Sequence, residues 1–235
     1  MPAFLTLTLN PALDLSTSVD QLVESHKLRC AEPILHPGGG GINVARVLRR
    51  LGADVLAVAT AGGATGERLG RLLADEAVPA AYLPIRGETR ESFTVRETAT
   101  GREYRFVLPG PTLGETEWQG SLDRVSELAG SVRYVVASGG LPPGVPVDFY
   151  ARLARLVRGL GARLVLDTAG PPLAAALEEG VWLIKPSLRE LAGLTGHALD
   201  TPALQLEAAR ALVSRARTGA VALSLGPQGA LLVAE

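Results

Sequence analysis

Apolar and polar positions alternate through "FLTLTL" (4–9), a period-two pattern that predicts a strand stopped by Asn10-Pro11. The pattern then changes period. In "INVARVLRRLG" the residues Ile42, Ala45 and Leu48, with Val44, Val47 and Leu51 beside them, fall on one apolar helical face, and Gly52 follows as a C-cap. "ADVLAVATAGG" (53–63) reads as a strand running into glycines, and "TGERLGRLLADEAV" (65–78) as a helix with a Thr cap. Further strands are expected at 132–137, 163–167, 181–185 and 220–225, with helices at 148–159, 172–179 and 202–216 between them. Apolar strands alternating with helices predict an α/β fold, a mainly parallel sheet covered on both faces.

Residues 80 to 108 interrupt that rhythm. "SFTVRET" and "EYRFVL" alternate in period two around "ATGR", which predicts an antiparallel hairpin. Together with an extended stretch "HKLRCAEPIL" (26–35) it would form a small second sheet, a lid or a dimer surface.

Composition narrows the function classes. The 235 residues are 47% hydrophobic and 20% charged with a net charge of −1, which leaves no electrostatic footprint for nucleic acid or an acidic membrane. "MPAFLTLTLNPALD" has no basic region leading into a long apolar core, so no secretory leader is expected, and no apolar run is long enough to span a bilayer. The lone Cys30 has no internal disulfide partner; it is expected to be a small buried hydrophobe in a reducing, cytoplasmic setting. Of the 23 basic residues only Lys27 and Lys185 are lysines. A chain that otherwise selects arginine has kept a compact point charge at two positions.

The chemistry is expected where an open α/β sheet collects ligands, beyond the carboxyl ends of its strands. Asp14, the glycine run of "HPGGGGINVAR" (36–46), Asp167, Lys185 and Ser224 all fall there. The glycines open a helix, which suits an anion or a polyol, yet no Gly-Lys-Ser/Thr follows and Asn43 stands where a dinucleotide fingerprint has its third glycine. No His/Cys spacing suits a metal and no G-x-S-x-G elbow is present, so His26, His36 and His197 are expected to be incidental.

"LTLNPALD", "PGGGGINVAR", "AGGATGE", "YRFVLPG", "LPPGVP", "IKPSLREL" and "SLGPQGALL", in this order along the whole chain, resemble the ribokinase-like sugar kinases of the phosphofructokinase B family. The resemblance implies a three-layer α/β/α sandwich as one domain over 1–235, with lid segments at about 15–36 and 86–108 and a homodimer formed through the lid. It implies a cytoplasmic kinase using ATP and Mg2+. Gly40 keeps the glycine run free of the lysine found in relatives acting on fructose 1-phosphate or tagatose 6-phosphate. The implied reaction is therefore phosphorylation of fructose 6-phosphate to the 1,6-bisphosphate, with those two activities or a non-catalytic sugar-phosphate-binding module as alternatives.

Residue by residue, the resemblance assigns Gly38, Gly39, Gly40 and Gly41 to close approach of the sugar, and Asp14 and Asn43 to its hydroxyls. Arg90 and Arg105 would hold the sugar phosphate, and Lys27 an anion belonging to either sugar or nucleotide. Lys185 would reach the transferring phosphate, Ser187, Ser224, Gly226 and Gly229 would border ATP, and Glu190 would hold magnesium through water. Three departures stand out. Ser187 replaces an Asn, Gly140 replaces a Ser of the sugar pocket, and no Gly-Ala-Gly-Asp, the motif whose Asp is the family's base, occurs in the 235 residues. The resemblance thus leaves the chain with no assigned base, and catalysis by these residues alone is not expected. A longer parent protein is expected to supply the motif.

Overall fold

A computed structural model of the chain describes residues 2–130, 132–215 and 218–234. In chain order the strands are β1 (Phe4–Thr8), β2 (Ala12–Val19), β3 (Ile34–Gly38), β4 (Val55–Ala61), β5 (Ala80–Pro84), β6 (Arg90–Glu97), β7 (Glu103–Val107), β8 (Tyr134–Ser138), β9 (Arg163–Asp167), β10 (Val181–Ile184), β11 (Thr218–Ser224) and β12 (Ala230–Ala234). The helices are α1 (Gly40–Arg50), α2 (Gly63–Asp75), α3 (Glu115–Leu128), α4 (Phe149–Gly159), α5 (Gly170–Glu179), α6 (Leu188–Thr195) and α7 (Pro202–Arg215).

Eight strands form the main sheet in the order β12-β11-β10-β9-β8-β1-β4-β5, parallel except for β12. Two apolar cores lie on its opposite faces. On one, α3 to α7 pack Trp118, Phe149, Leu153, Leu173, Leu191 and Ala209 against Leu5, Leu7, Val135, Leu166 and Val221. On the other, Ile42 and Ala45 of α1 and Leu69 and Leu73 of α2 cover Val55, Ala57 and Ala59. On this second face α1 and α2 lie over β1, β4, β5 and β8, and no helix among the described residues lies over β9 to β12. The unsheltered side of β12 leaves Leu232 66% exposed, whereas α7 covers its other side and buries Val233.

The parallel sheet and its two helical layers agree with the pattern of the sequence; several details do not. β2 begins at Ala12, ahead of the lid segment expected from about residue 15, because Pro11 ends one strand and the alternation of "ALDLSTSV" starts another. Within 26–35 only Ile34 and Leu35 are in a strand. β5 belongs to the main sheet, paired parallel with β4, so the interruption begins after residue 84. α2 starts at Gly63 behind Gly62, and Thr65 is no cap: its N–H donates to Glu88 Oε1 at 2.6 Å. Leu51 is the C-cap of α1, and Gly52, with φ 78°, takes the left-handed position after it. α3 and α6 were not anticipated, and residue 216 of the expected 202–216 helix lies outside the described residues. Val47 and Leu51 are 53% and 77% exposed, since the apolar stripe of α1 is wider than the strands beneath it. Cys30 is exposed as well, in a connection rather than in the core.

A second sheet of four strands, β3-β2-β6-β7, stands apart from the main one. β2 and β6 run parallel in the register Ala12↔Arg90 to Val19↔Glu97, with β3 and β7 antiparallel at the edges. The expected hairpin is β6–β7. Alternation puts Asp14, Ser92 and Arg105 on one face and Leu15, Phe93 and Phe106 on the other.

Truncating the buried and the bare flank of α1 separates these layers. Ile42→Ala is expected to lower unfolding free energy by about 2–5 kcal/mol, the range for a core cavity. Val47→Ala should change it by about 0.5 kcal/mol or less, as at an exposed site. Denaturant melts of the two variants check both.

Candidate active site on the carboxyl rim

The glycine run is where three segments meet. A Cβ at Gly38 would lie 2.1 Å from Asp14 Oδ2, and one at Gly40 would lie 2.1 Å from Ser138 Oγ. At Gly41 it would come within 2.6 Å of the Leu7 carbonyl oxygen. Gly39 combines a φ of 116°, open to glycine, with a Cβ position 2.7 Å from Thr8 Cγ2. Four side chains are therefore missing so that the lid carboxylate, the end of β8 and the end of β1 can close around one backbone. The N-cap residue of α1, Gly39, has no side chain to cap with; Thr8 Oγ1 accepts the Ile42 N–H of the first turn at 3.0 Å from below.

On the lid side, Asp14 is paired in register with His36 and Ser92, and Arg105 and Arg90 act on its charge. Burial lifts its carboxyl above the ordinary aspartate value, against the opposing pull of Arg105, Arg90, His36 and Arg46. Arg90 is more than a free cation. Its Nε and Nη2 donate to the Asn10 carbonyl at 3.4 and 3.2 Å and its Nη1 to the Leu108 carbonyl at 3.2 Å. Two of its five N–H donors thus fasten the lid hairpin to Asn10 after β1, a third holds the end of the hairpin at Leu108, and two remain. Asn43 is exposed on the first turn of α1, where its Oδ1 accepts from Arg46 Nη1 at 3.3 Å. Arg46 is itself clamped by both Glu76 oxygens, at 2.7 and 2.5 Å. Lys27 is exposed in the connection from β2 to β3, with no hydrogen bond or ion pair to the others among the described residues.

On the opposite side of the run, Lys185 Nζ lies 3.2 Å from Asp167 Oδ1, and Ser138 Oγ donates to Asp167 Oδ2 at 3.0 Å. Beyond them Ser187 and Ser224 are bridged as neighbouring strand positions, and the Ser224 N–H donates to the Pro186 carbonyl at 2.9 Å. Gly226 and Gly229 take φ of 59° and 96° in the tight turn that follows. Ser187 accepts the Glu190 N–H through Oγ at 3.3 Å, while Glu190 Oε2 accepts the Ser187 N–H at 2.7 Å. This capping box holds the start of α6. Its signature, Ser-x-x-Glu, stands in the sequence, and the capping role is one that the resemblance does not assign to Ser187. Gly140 faces open space, with nothing within 4 Å of a Cβ, so packing does not require its missing side chain.

Gly40, Ser138, Asp167 and Glu190 line one cleft. Lid, glycine run and lysine thus form a rim suited to a small polyanion with hydroxyl groups on one side and a phosphate chain on the other. Residues 8–235 match the pfkB family of carbohydrate kinases. The chain belongs to that family. It is 49% identical over 231 residues to the ATP-dependent 6-phosphofructokinase isozyme 2 of Mycobacterium tuberculosis, covering 98% of this chain and 68% of that protein. The structure of phosphofructokinase-2 from Escherichia coli in complex with fructose-6-phosphate superposes with a TM-score of 0.95 at 42% identity, over 100% of this chain and 78% of that one. The tetrameric inhibited form of the same enzyme superposes at 0.94, over 100% and 77%. The pfkB fold, a ribokinase-like α/β sandwich with a β lid, is the one expected from the motifs.

Among the described residues no three His, Cys, Asp or Glu side chains gather as a metal cage, and no helix is long and apolar enough to cross a membrane. Mg2+, the ion that the resemblance implies, does not require such a cage. It is commonly held by one or two carboxylates with waters and substrate phosphates, and Glu190, with Oε1 outside the capping box, fits that donor set.

The raised Asp14 carboxyl gives a pH test. The folded chain holds this proton more tightly than the unfolded chain. Its contribution is therefore fully present below the ordinary aspartate value and is lost as pH rises through the raised value. Asp14→Asn is expected to remove that decline and to melt at or above the wild-type temperature at pH 7. Melting temperatures of both proteins from pH 3 to 7 check the sign.

Proposed function

We propose that this chain binds fructose 6-phosphate between lid and glycine run, and that its site serves transfer of the γ-phosphoryl group of ATP to that sugar, giving fructose 1,6-bisphosphate. The observation that carries the reading is the pairing of two unlike half-sites across Gly38–Gly41: Asp14 with Arg90 and Arg105 on one side, Lys185 on the other. The relatives named above, one of them solved with fructose-6-phosphate, support the same substrate.

In this reading Asp14 and Asn43 hydrogen-bond the sugar hydroxyls, and the glycines admit the ring. Arg105 and the two free donors of Arg90 grip the phosphate already on the sugar, with Lys27 as a further cation brought in from its loop. Lys185 meets the γ-phosphate, where an ammonium offsets charge that spreads over the phosphoryl oxygens during transfer. Ser187, Ser224, Gly226 and Gly229 border the nucleotide. Mg2+ would be held by Glu190 through water and would supply charge neutralisation at the nucleotide phosphates.

The outer lid face supports a homodimer. Phe93 and Phe106 stack at 4.8 Å there while 36% and 46% exposed, and lid-to-lid contact would cover them. A cytoplasmic location belongs to the same proposal.

A second reading, a sugar-phosphate-binding module without turnover, is favoured by one feature. The 235 residues contain no Gly-Ala-Gly-Asp, and Asp167, a rim carboxylate, is already tied to Lys185 and Ser138. A positioned base contributes about 10²–10⁴ in rate. Residues 1–235 should therefore turn over at least about a hundredfold more slowly than a relative carrying the motif, while still binding fructose 6-phosphate in a calorimeter. Turnover within tenfold of such a relative would mean that the base lies among these residues.

Arg105→Ala is expected to weaken fructose 6-phosphate binding about tenfold or more, the value of a charge-assisted hydrogen bond, and to leave ATP binding within about twofold. Arg105→Lys should recover only part, because a point charge does not replace a planar fork. Equal losses for sugar phosphate and ATP would remove Arg105 from the sugar half-site.

A further inference from the structure

We infer that Asp167, fixed by Ser138, is the positioning residue for Lys185, and that Ser138 ties this pair to the glycine run. The inference rests on the kinase reading of the site and adds to it two residues that the motif assignments leave without a role.

The geometry is a short relay of contacts. Gly40 lies against Ser138, close enough that any Cβ would collide with its hydroxyl. Ser138 is 3% exposed and directs that hydroxyl to Asp167 Oδ2 at 3.0 Å. The other oxygen of Asp167 faces Lys185 Nζ at 3.2 Å. The backbone around this relay is pinned twice. The Gly139 N–H donates to the Asp167 carbonyl at 2.9 Å, and the Tyr150 hydroxyl donates to the Gly139 carbonyl at 2.8 Å. Tyr150 is 1% exposed, and burial, reinforced by the Asp167 charge, holds its phenol well above the usual tyrosine value, so it stays a donor. Ser138 and Asp167 are register partners on adjacent strands, so the carboxylate sits on a rigid sheet end.

Lysine needs such a guide more than arginine would. Its ammonium ends a flexible four-carbon stem, and Lys185 is 48% exposed, free to sweep solvent unless something orders it. A carboxylate bound on its far side by a buried serine orders the stem without enclosing the charge. The ammonium keeps donors for a phosphate. Asp167 touches Lys185 and Ser138, and in this inference its effect on transfer passes through the lysine.

Having only two lysines makes the test direct. Acetylation by acetic anhydride, read by mass spectrometry, gives a rate for Lys185 with Lys27 as reference in the same molecule. Asp167→Asn keeps the shape and the bond to Ser138 but removes the charge. Lys185 should then acetylate about two- to fivefold faster, the scale of a half-exposed ion pair, with Lys27 and the melting temperature unchanged. Ser138→Ala should give a smaller rise at Lys185 alone. Unchanged Lys185 rates in Asp167→Asn would overturn the inference.

Turnover supplies the second arm. Asp167→Asn should lower kcat about three- to tenfold with fructose 6-phosphate binding within twofold, and should have no further effect in a Lys185→Met background. A full loss in that background would show that the carboxylate acts on its own and would also overturn the positioning role. Where the 235 residues alone show no turnover, as the absent Gly-Ala-Gly-Asp predicts, the acetylation rates in Asp167→Asn decide the role of Asp167.

Discussion

The structure depends on one close approach: the backbone of Gly38–Gly41 passing with no side chain between Asp14, Ser138 and the end of β1. Main sheet and lid sheet meet at this run, and both half-sites face it. Contacts of 2.1 to 2.7 Å to hypothetical Cβ atoms leave no room for alanine without moving a carboxylate, a buried serine or a strand. The run also begins α1, the only helix that contacts β1, β4 and β8 together among the stronger packing contacts of the described residues. A displacement here would therefore be felt in the second core as well as at the rim.

Several side chains serve stability and chemistry at once. Arg90 ties the hairpin to Asn10 with two donors and to Leu108 with a third, and in the proposed reading the other two meet a phosphate. Glu190 caps α6 with one oxygen and leaves the other to the cleft. Asp14 is held partly buried with its carboxyl raised, a cost to the folded state of the kind that binding sites carry.

The two sheets differ in how they handle exposed apolar surface. In the main sheet, α3 to α7 cover one face completely, while the α1–α2 layer stops short and leaves Leu232 and the flank of α1 bare. In the lid, one face is polar and faces the site, and the other carries the stacked Phe93 and Phe106. Neither patch is random. Each is the unpaired face of an element whose other face is buried or functional.

Periodicity in the sequence was enough for β1, β4 and β8 to β11 of the main sheet, most of its helices and the β6–β7 hairpin, because alternation and the 3.6-residue stripe are local. The seven motifs located the rim for the same reason, since each lies within a few residues of a strand end. Pairing is not local. That β5 joins β4, that β2 rather than 26–33 builds the lid, and that Val47 faces solvent all depend on which strands lie beneath them. Asp167 could be seen to end a strand, and Ser187 and Glu190 to stand three apart, from the letters alone. Only the tertiary structure brought Ser138, Asp167 and Lys185 within hydrogen-bonding distance. Residues 29 and 18 apart in sequence meet there because β8, β9 and β10 are adjacent and parallel, and sequence spacing does not encode that adjacency.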